Sequence, residues 1–223
     1  VAEFGYWAGF AGVAVSLKSW IAQKQGKICG SVGVYKNKDA LVSELKSEIT
    51  ALNTTAPSAI IIGALGRVGT GAGDLLEAMG SQVTRWDMTE TASGGPFPEI
   101  LDHDLFINCI LARPGTPVFV PTSAKDTDRK LTVIGDVACD PDSDYNPVPV
   151  YDKATTWDAP ALRVHENPVL DVTAIDNLPS MLPRESSEDF AEQLLPSLLT
   201  LTDLNTGVWG RAAADFNEHS QDI

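Results

Sequence analysis

Positive charge is scarce in this chain: 16 Lys and Arg stand against 30 Asp and Glu, a formal net charge of −14 over 223 residues. A face that neutralises phosphates or clusters on anionic lipid needs the opposite balance, so nucleic-acid binding and electrostatic membrane anchoring are excluded as expectations. Cysteine is almost as scarce. Cys29, Cys109 and Cys139 cannot form a disulfide framework in a chain of this length, which points to a reduced, cytoplasmic setting. Long apolar runs are missing; the longest, 7–15 and 59–65, fall far short of the ~20 residues of a spanning helix. His103, His165 and His219 lie far apart and show no ligand spacing with the cysteines, so no metal is expected. There is no G-x-S-x-G elbow, no Walker lysine, no internal repeat, and no recognisable targeting signal. What remains is ordinary globular material, 43% hydrophobic and 21% charged, which rules out global disorder. The chain opens at Val1, inside an apolar segment, as expected of a polypeptide that continues upstream.

Helical spacing of Phe10, Val13, Leu17, Trp20 and Ile21 predicts a helix over 4–25, with Ala8, Gly9, Ala11 and Gly12 small enough to let another backbone approach. A connector with a short strand is expected over 26–37. An amphipathic helix over 39–52 follows, with Leu41, Leu45, Ile49 and Leu52 on one stripe. Segment 58–63, SAIIIG, is apolar without alternation, the pattern of a strand buried on both faces of a parallel sheet. A helix over 66–79 and strands over 82–86, 104–109, 131–137 and 170–175 complete a doubly wound α/β sheet. After Pro183 the pattern turns wholly helical, over 184–200 and 208–217. Residues 1–183 therefore read as the sheet domain and 184–223 as a helical appendage.

The turn between the first strand and its helix reads Gly63-Ala-Leu-Gly66-Arg-Val-Gly69. Its G-x-x-G-x-x-G spacing differs by one residue from the commonest dinucleotide fingerprint, yet its physical logic is the same. Gly63 permits a tight exit from the strand, Gly66 lets backbone N–H groups approach a pyrophosphate, and Gly69 allows close packing of the helix. The helix N-terminus then faces the phosphates. Gly71 and Gly73 prolong the pattern and imply a close approach along the same helix. Asp87 ends the next strand, 24 positions after Gly63, where an acid accepts hydrogen bonds from the adenosine ribose and disfavours a 2′-phosphate, so NAD is expected over NADP. Arg85, two residues earlier, softens that preference. The competing reading is a glycine turn beside a turn-initiating acid. Cys109, Cys139, Asp140 and Asp176 fall at the strand edge where ligands bind in open sheets, or else pack and cap there.

Several segments together resemble the NAD-dependent, lysine-forming saccharopine dehydrogenases: FGYWAGFAG (4–12), IIGALGRVGTGA (61–72), WDMTETASGGPFPEI (86–100), DLFINCI (104–110), IDNLPSMLPRESSEDF (175–190) and VWGRAAADF near the end. The resemblance covers essentially the whole chain. It implies a two-domain architecture of alanine-dehydrogenase type and oxidative cleavage of saccharopine to lysine and 2-oxoglutarate, with NAD as hydride acceptor. Carried over by motif, Gly66 and Arg67 would contact the pyrophosphate and Asp87 the ribose. Thr91, Leu111 and Val137 would line the cofactor site, and Ile175, Asp176, Asn177 and Leu178 would close over its nicotinamide half. Phe4, Ala138, Cys139 and Asp140 would face the substrate.

Three positions depart from the family pattern. Val68 stands where members carry a cysteine, which leaves Cys109 without that disulfide partner; Leu111 replaces a common aromatic residue and Asn177 a common histidine. The family's general acid/base lysine and histidine belong to an N-terminal domain that these residues do not contain. The expectation is therefore an NAD-binding part with no catalytic residue of its own, inactive alone, whose 184–223 tail would return to the absent domain and show an unburied apolar side. Another amino-acid dehydrogenase of the same architecture, or a non-enzymatic NAD-binding subunit, would share the cofactor motifs.

Overall fold

A computed structural model describes residues 2–220. Helices α1 (Gly5–Lys24) and α2 (Lys38–Ala51) precede β1 (Ala59–Ile62), α3 (Arg67–Ala78) and β2 (Val83–Trp86). A single-turn α4 (Met88–Thr91), β3 (Leu105–Asn108), β4 (Val133–Asp136), β5 (Leu162–Glu166) and β6 (Val169–Thr173) follow, then α5 (Pro183–Leu198) and α6 (Gly207–His219). The six strands form one sheet in the order β2-β1-β3-β4-β6-β5. Every pairing is parallel except β5 with β6. This is a Rossmann-type α/β sheet. None of the helices among the described residues is long and apolar enough to cross a membrane.

β1, β3 and β4 are buried along their whole length, which accounts for sequences that stay apolar up to Asn108 and Asp136 at the ends of β3 and β4. Ala59, Ile61, Leu105, Ile107 and Val133 face a core shared with α1, α2 and α3. Ile60, Ile62, Phe106, Ile134, Leu170 and Val172 face a second core on the other side. That second layer is made of connections and 3-10 turns rather than long helices, filled by Phe97, Phe119, Val148, Val150 and Tyr151.

α1 is buried from Gly9 almost to its end, consistent with its lack of a polar face. It crosses α3 at glycines on both sides. A Cβ at Gly9 would lie 2.7 Å from the Val68 carbonyl carbon, and one at Gly71 2.8 Å from that of Tyr6. Helix-on-helix contact without intervening side chains is what the glycine-rich pattern encodes. Tyr6 Oη donates to Asp74 Oδ2 at 2.7 Å across the same seam.

Two local expectations change. No strand forms over 26–37; that segment runs as irregular backbone, pinned by Val32 N–H to Trp157 O (2.9 Å) and Tyr35 N–H to Met181 O (2.8 Å). The antiparallel edge strand β5, LRVHE, was not expected: it carries three polar or charged residues in five, and with a neighbour on one side alone no residue of it is fully buried. Arg163 on β5 holds Asp171 on β6 through Nε–Oδ1 at 2.6 Å, and Gln23 Nε2 adds a second donor at 2.7 Å to this fully buried carboxylate. The tail helices form as expected. Leu195 and Leu198 on α5, Leu199 at its C-cap and Phe216 on α6 are exposed, Leu199 to 74% and Phe216 to 70%.

Candidate functional site

β1 lies between β2 and β3, so the chain leaves β1 to one side and then crosses back over it to the other. A crevice opens beyond the carboxyl ends of strands at such a reversal. Here it is a cleft of about 720 Å³, lined on one side by Gly63, Leu65, Gly66, Asp87, Met88 and Thr91, and on the other by the loop after β3.

Gly63 takes φ +85°, and a Cβ there would press to 2.9 Å from the Cys109 carbonyl oxygen. Gly63 and Ala64 both donate their N–H groups to Trp86 O at 3.0 Å, which ties the turn to the end of β2. A Cβ on Gly69 would fall 2.5 Å from Ala64 Cα, so this glycine brings the helix against the turn itself rather than against the sheet. Gly66 is the N-cap of α3 and supplies no side-chain acceptor, so the first-turn N–H groups keep their capacity for an anion. A Cβ there would meet only Gly63 O, at 3.5 Å.

Asp87 bridges the two sides of this turn. Its Oδ2 accepts from Leu65 N–H at 3.0 Å, and its Oδ1 from Met88 N–H at 2.9 Å. Glu90 returns the cap to Asp87 N–H at 2.8 Å. With Leu65, Met88 and the third helical residue of the capping box donating to it, the carboxylate retains a lone pair for a ligand hydroxyl. Thr91 Oγ1 donates to Asp87 O at 2.9 Å, and Met88 and Leu111 stand largely exposed at the cleft. Arg85 does not reach this group. Its guanidinium packs over Gly73, where a Cβ would clash with it, and pairs with Glu77 at 2.7 Å.

The other expected site residues lie elsewhere. Arg67, the first residue of α3, pairs with Glu3 Oε2 at 3.2 Å and donates to Gln193 Oε1 at 3.1 Å, fastening α5 and the N-terminal segment beside the turn. Val137, Ile175 and Leu178 line a closed seam against α1, where a Cβ at Gly12 would come within 2.7 Å of Val137 Cγ2. Asp176 is exposed, and Asn177 Oδ1 accepts from Trp157 Nε1 at 2.8 Å. Ala138, Cys139 and Asp140 form a turn beyond β4 in which Cys139 adopts φ +51°. The Cys139 Sγ donates to Ala174 O at 3.0 Å, and burial, followed by the charge of Asp136, pushes this thiol up to about 11. Phe4 stacks on Phe190 with ring centroids 4.6 Å apart. The structure thus gathers Gly63, Gly66, Asp87, Thr91 and Leu111 at one cleft, with Gly69 directly behind its turn. It does not bring the side chains of Val137, Ile175, Leu178 or Phe4 to that cleft.

Two features escaped the motif search. Asp136, at the end of β4, is buried and accepts from Asn108 Nδ2 at 3.0 Å and Tyr151 Oη at 2.7 Å. Burial holds this carboxyl above its usual range against those donors, and the Ala138 and Cys139 N–H groups also bond to it. It anchors the turn that carries Cys139. Its signal in the sequence was an acid inside an otherwise apolar strand, LTVIGDV. The second is the loop Arg113-Pro-Gly-Thr116 on the cleft wall, signalled by its Pro-Gly pair.

No protein-family model matches the chain. Saccharopine dehydrogenase [NAD(+), L-lysine-forming] of Yarrowia lipolytica is 45% identical over 232 residues, which cover 98% of this chain and 63% of that protein. The proteins of the same name from Neurospora crassa and Candida albicans are 45% and 42% identical, each over 98% of this chain and over 62% and 63% of their own length. The chain thus spans somewhat less than two thirds of the curated relatives it matches, and along nearly all of its own length it is homologous to one portion of the NAD-dependent, lysine-forming saccharopine dehydrogenases.

Proposed function

We propose that this chain is the dinucleotide-binding part of a saccharopine dehydrogenase and holds NAD(H) in the cleft at the ends of β1, β2 and β3. The observation that carries this reading is the convergence on that cleft of an uncapped helix N-terminus and the carboxylate of Asp87. The residues fit the group: Gly63 and Gly69 leave no room for side chains where the turn must stay thin, and Gly66 leaves the N-terminus of α3 uncovered by any side chain of its own. In this reading Gly66 and the first turn of α3 hold the pyrophosphate, and Asp87 accepts from the ribose hydroxyls. Met88 and Leu111 border the base, with Thr91 fixing the Asp87 backbone. A bound nicotinamide supplies the hydride acceptor.

Oxidative cleavage of the secondary amine of saccharopine to lysine and 2-oxoglutarate would draw on NAD, held by Gly66, the first turn of α3 and Asp87, as hydride acceptor and on water to split the carbon–nitrogen bond. That reaction needs proton donors and acceptors placed around the amine. In this proposal they come from a further domain or chain, and residues 184–223 dock on it through the exposed leucines of α5 and the residues that follow it. Residues 138–140 and Asp176 would face the substrate side. On its own the chain binds NADH without turnover.

Titration with NADH and NADPH, followed by nicotinamide fluorescence, tests the reading. Saturable NADH binding is expected, weaker for NADPH, and weakened roughly tenfold or more in Asp87→Asn, which keeps a side-chain oxygen for the cap. Failure of the unmodified chain to bind either nucleotide would overturn it.

A further inference from the structure

We propose that Arg113 supplies the counter-charge for the diphosphate of the dinucleotide, and so is a binding residue of the cleft that the glycine-loop motif does not include. The inference rests on the reading of the cleft as a dinucleotide site. It begins from charge. A nucleotide diphosphate must approach a chain of net charge −14, and the cleft lining holds one anion, Asp87, and one cation, Arg113. The basic residue nearest the turn, Arg67, is engaged by Glu3 and Gln193. The guanidinium of Arg113 is exposed and has no ion-pair or hydrogen-bond partner among the described residues.

Position then assigns its target. β2 and β3 flank β1 in equal register, with Trp86 and Asn108 both opposite Ile62. Asp87 follows β2 and Arg113 follows β3, so the two stand on opposite flanks of the glycine turn. A ligand with its ribose on Asp87 and its phosphates over the turn presents the phosphates, not the ribose, to the Arg113 flank.

The backbone under Arg113 is stiff. Arg113 O accepts from Thr116 N–H at 2.9 Å, and Arg113 N–H donates to Thr116 Oγ1 at 2.9 Å. Pro114 and Gly115 occupy the two central positions of this turn, and Gly115 takes φ +92°, the type II pattern of Pro then Gly. Beyond it, Phe119 N–H reaches Pro147 O at 2.8 Å and Phe97 N–H reaches Phe119 O at 3.1 Å, tying the loop to the second core. A cation held on such a loop loses little backbone freedom when an anion arrives.

The test is the affinity of Arg113→Gln and Arg113→Lys for NADH by fluorescence, and for ADP and adenosine by competition against NADH. Arg113→Gln is expected to bind NADH and ADP roughly tenfold more weakly and adenosine unchanged, with a shallower salt dependence, while Arg113→Lys retains most of the affinity. Unaltered NADH binding in Arg113→Gln, alongside loss in Asp87→Asn, would overturn the assignment and leave the dinucleotide reading standing. Equal losses for ADP and adenosine would overturn it in favour of stacking on the base. No binding by the unmodified chain would overturn both.

Discussion

Replacing Gly71 by alanine sets two physical effects against each other. In an exposed helix interior the change would stabilise by about 1 kcal/mol, because alanine loses less conformational freedom on folding. Gly71, however, lies where α3 crosses α1, and the added Cβ would stand 2.8 Å from the Tyr6 carbonyl carbon and nearer still to its oxygen. Ordinary carbon–carbon contact is about 3.5–4.0 Å, so the helices must part by roughly an ångström. The opposing atoms are backbone, and no rotamer change can absorb the displacement. Overpacking of this kind costs about 1–3 kcal/mol, and a backbone clash belongs at the upper end. The net expectation is a loss of about 2 kcal/mol, or about 4–8 °C in Tm for a chain of this size. Urea and thermal unfolding followed by circular dichroism would measure it. Gly30→Ala is the control, since a Cβ there meets nothing within 4 Å. A Gly71→Ala protein that melts at or above the parent temperature would refute the close-packed crossing.

Two further outcomes are expected. Arg163→Ala leaves the carboxylate of Asp171 fully buried with only Gln23 and Ser19 as side-chain donors, and should cost about 3 kcal/mol or more in urea unfolding, with partial recovery in the Arg163→Ala/Asp171→Asn double variant; a loss under 1 kcal/mol would show that the pair is not needed. Burial alone would raise the carboxyl of Asp104, but hydrogen bonds from Ser58 and Lys130 outweigh it and hold the group below its usual range. Its contribution to stability is therefore present above the unfolded value of about 4 and lost as pH falls through the lower folded value, so Asp104→Asn should flatten the acid limb of a stability–pH profile, and an unchanged limb would contradict this.

The parallel sheet was legible because burial on both faces leaves a plain mark, the runs AIII and LFIN having no polar residue before their ends. The glycine turn was legible for a related reason: three positions that exclude a Cβ, or must keep one out of a ligand's way, leave glycines at fixed spacing. β5 was not legible, since LRVHE is an edge strand whose charged residues serve the Asp171 pair rather than a periodic pattern. Nor could spacing show that Arg67 is drawn towards Glu3 and Gln193, because those partners lie 64 and 126 positions away in sequence. The same holds for Arg85, whose guanidinium is claimed by Glu77 on the neighbouring helix. Short-range pattern records backbone need well. It records poorly which of several charged neighbours a long side chain will choose.

The burial of α1 has a consequence for how the chain is made. Twelve of its residues are sequestered; its partners are α2 and α3, which follow it early, and β3, β4, β6 and the 3-10 turn at Leu178–Met181, which come later. The last of these leaves the ribosome only after 181 residues of this sequence, on the order of ten seconds or more after α1 at about 5–20 residues per second. Throughout that interval the part of α1 that β4, β6 and this turn will cover is unburied, and the helix has no polar side to turn outward. Premature termination before Met181 would strand it permanently, and such fragments should be bound by chaperones or aggregate, while chains released after Met181 can close their sheet.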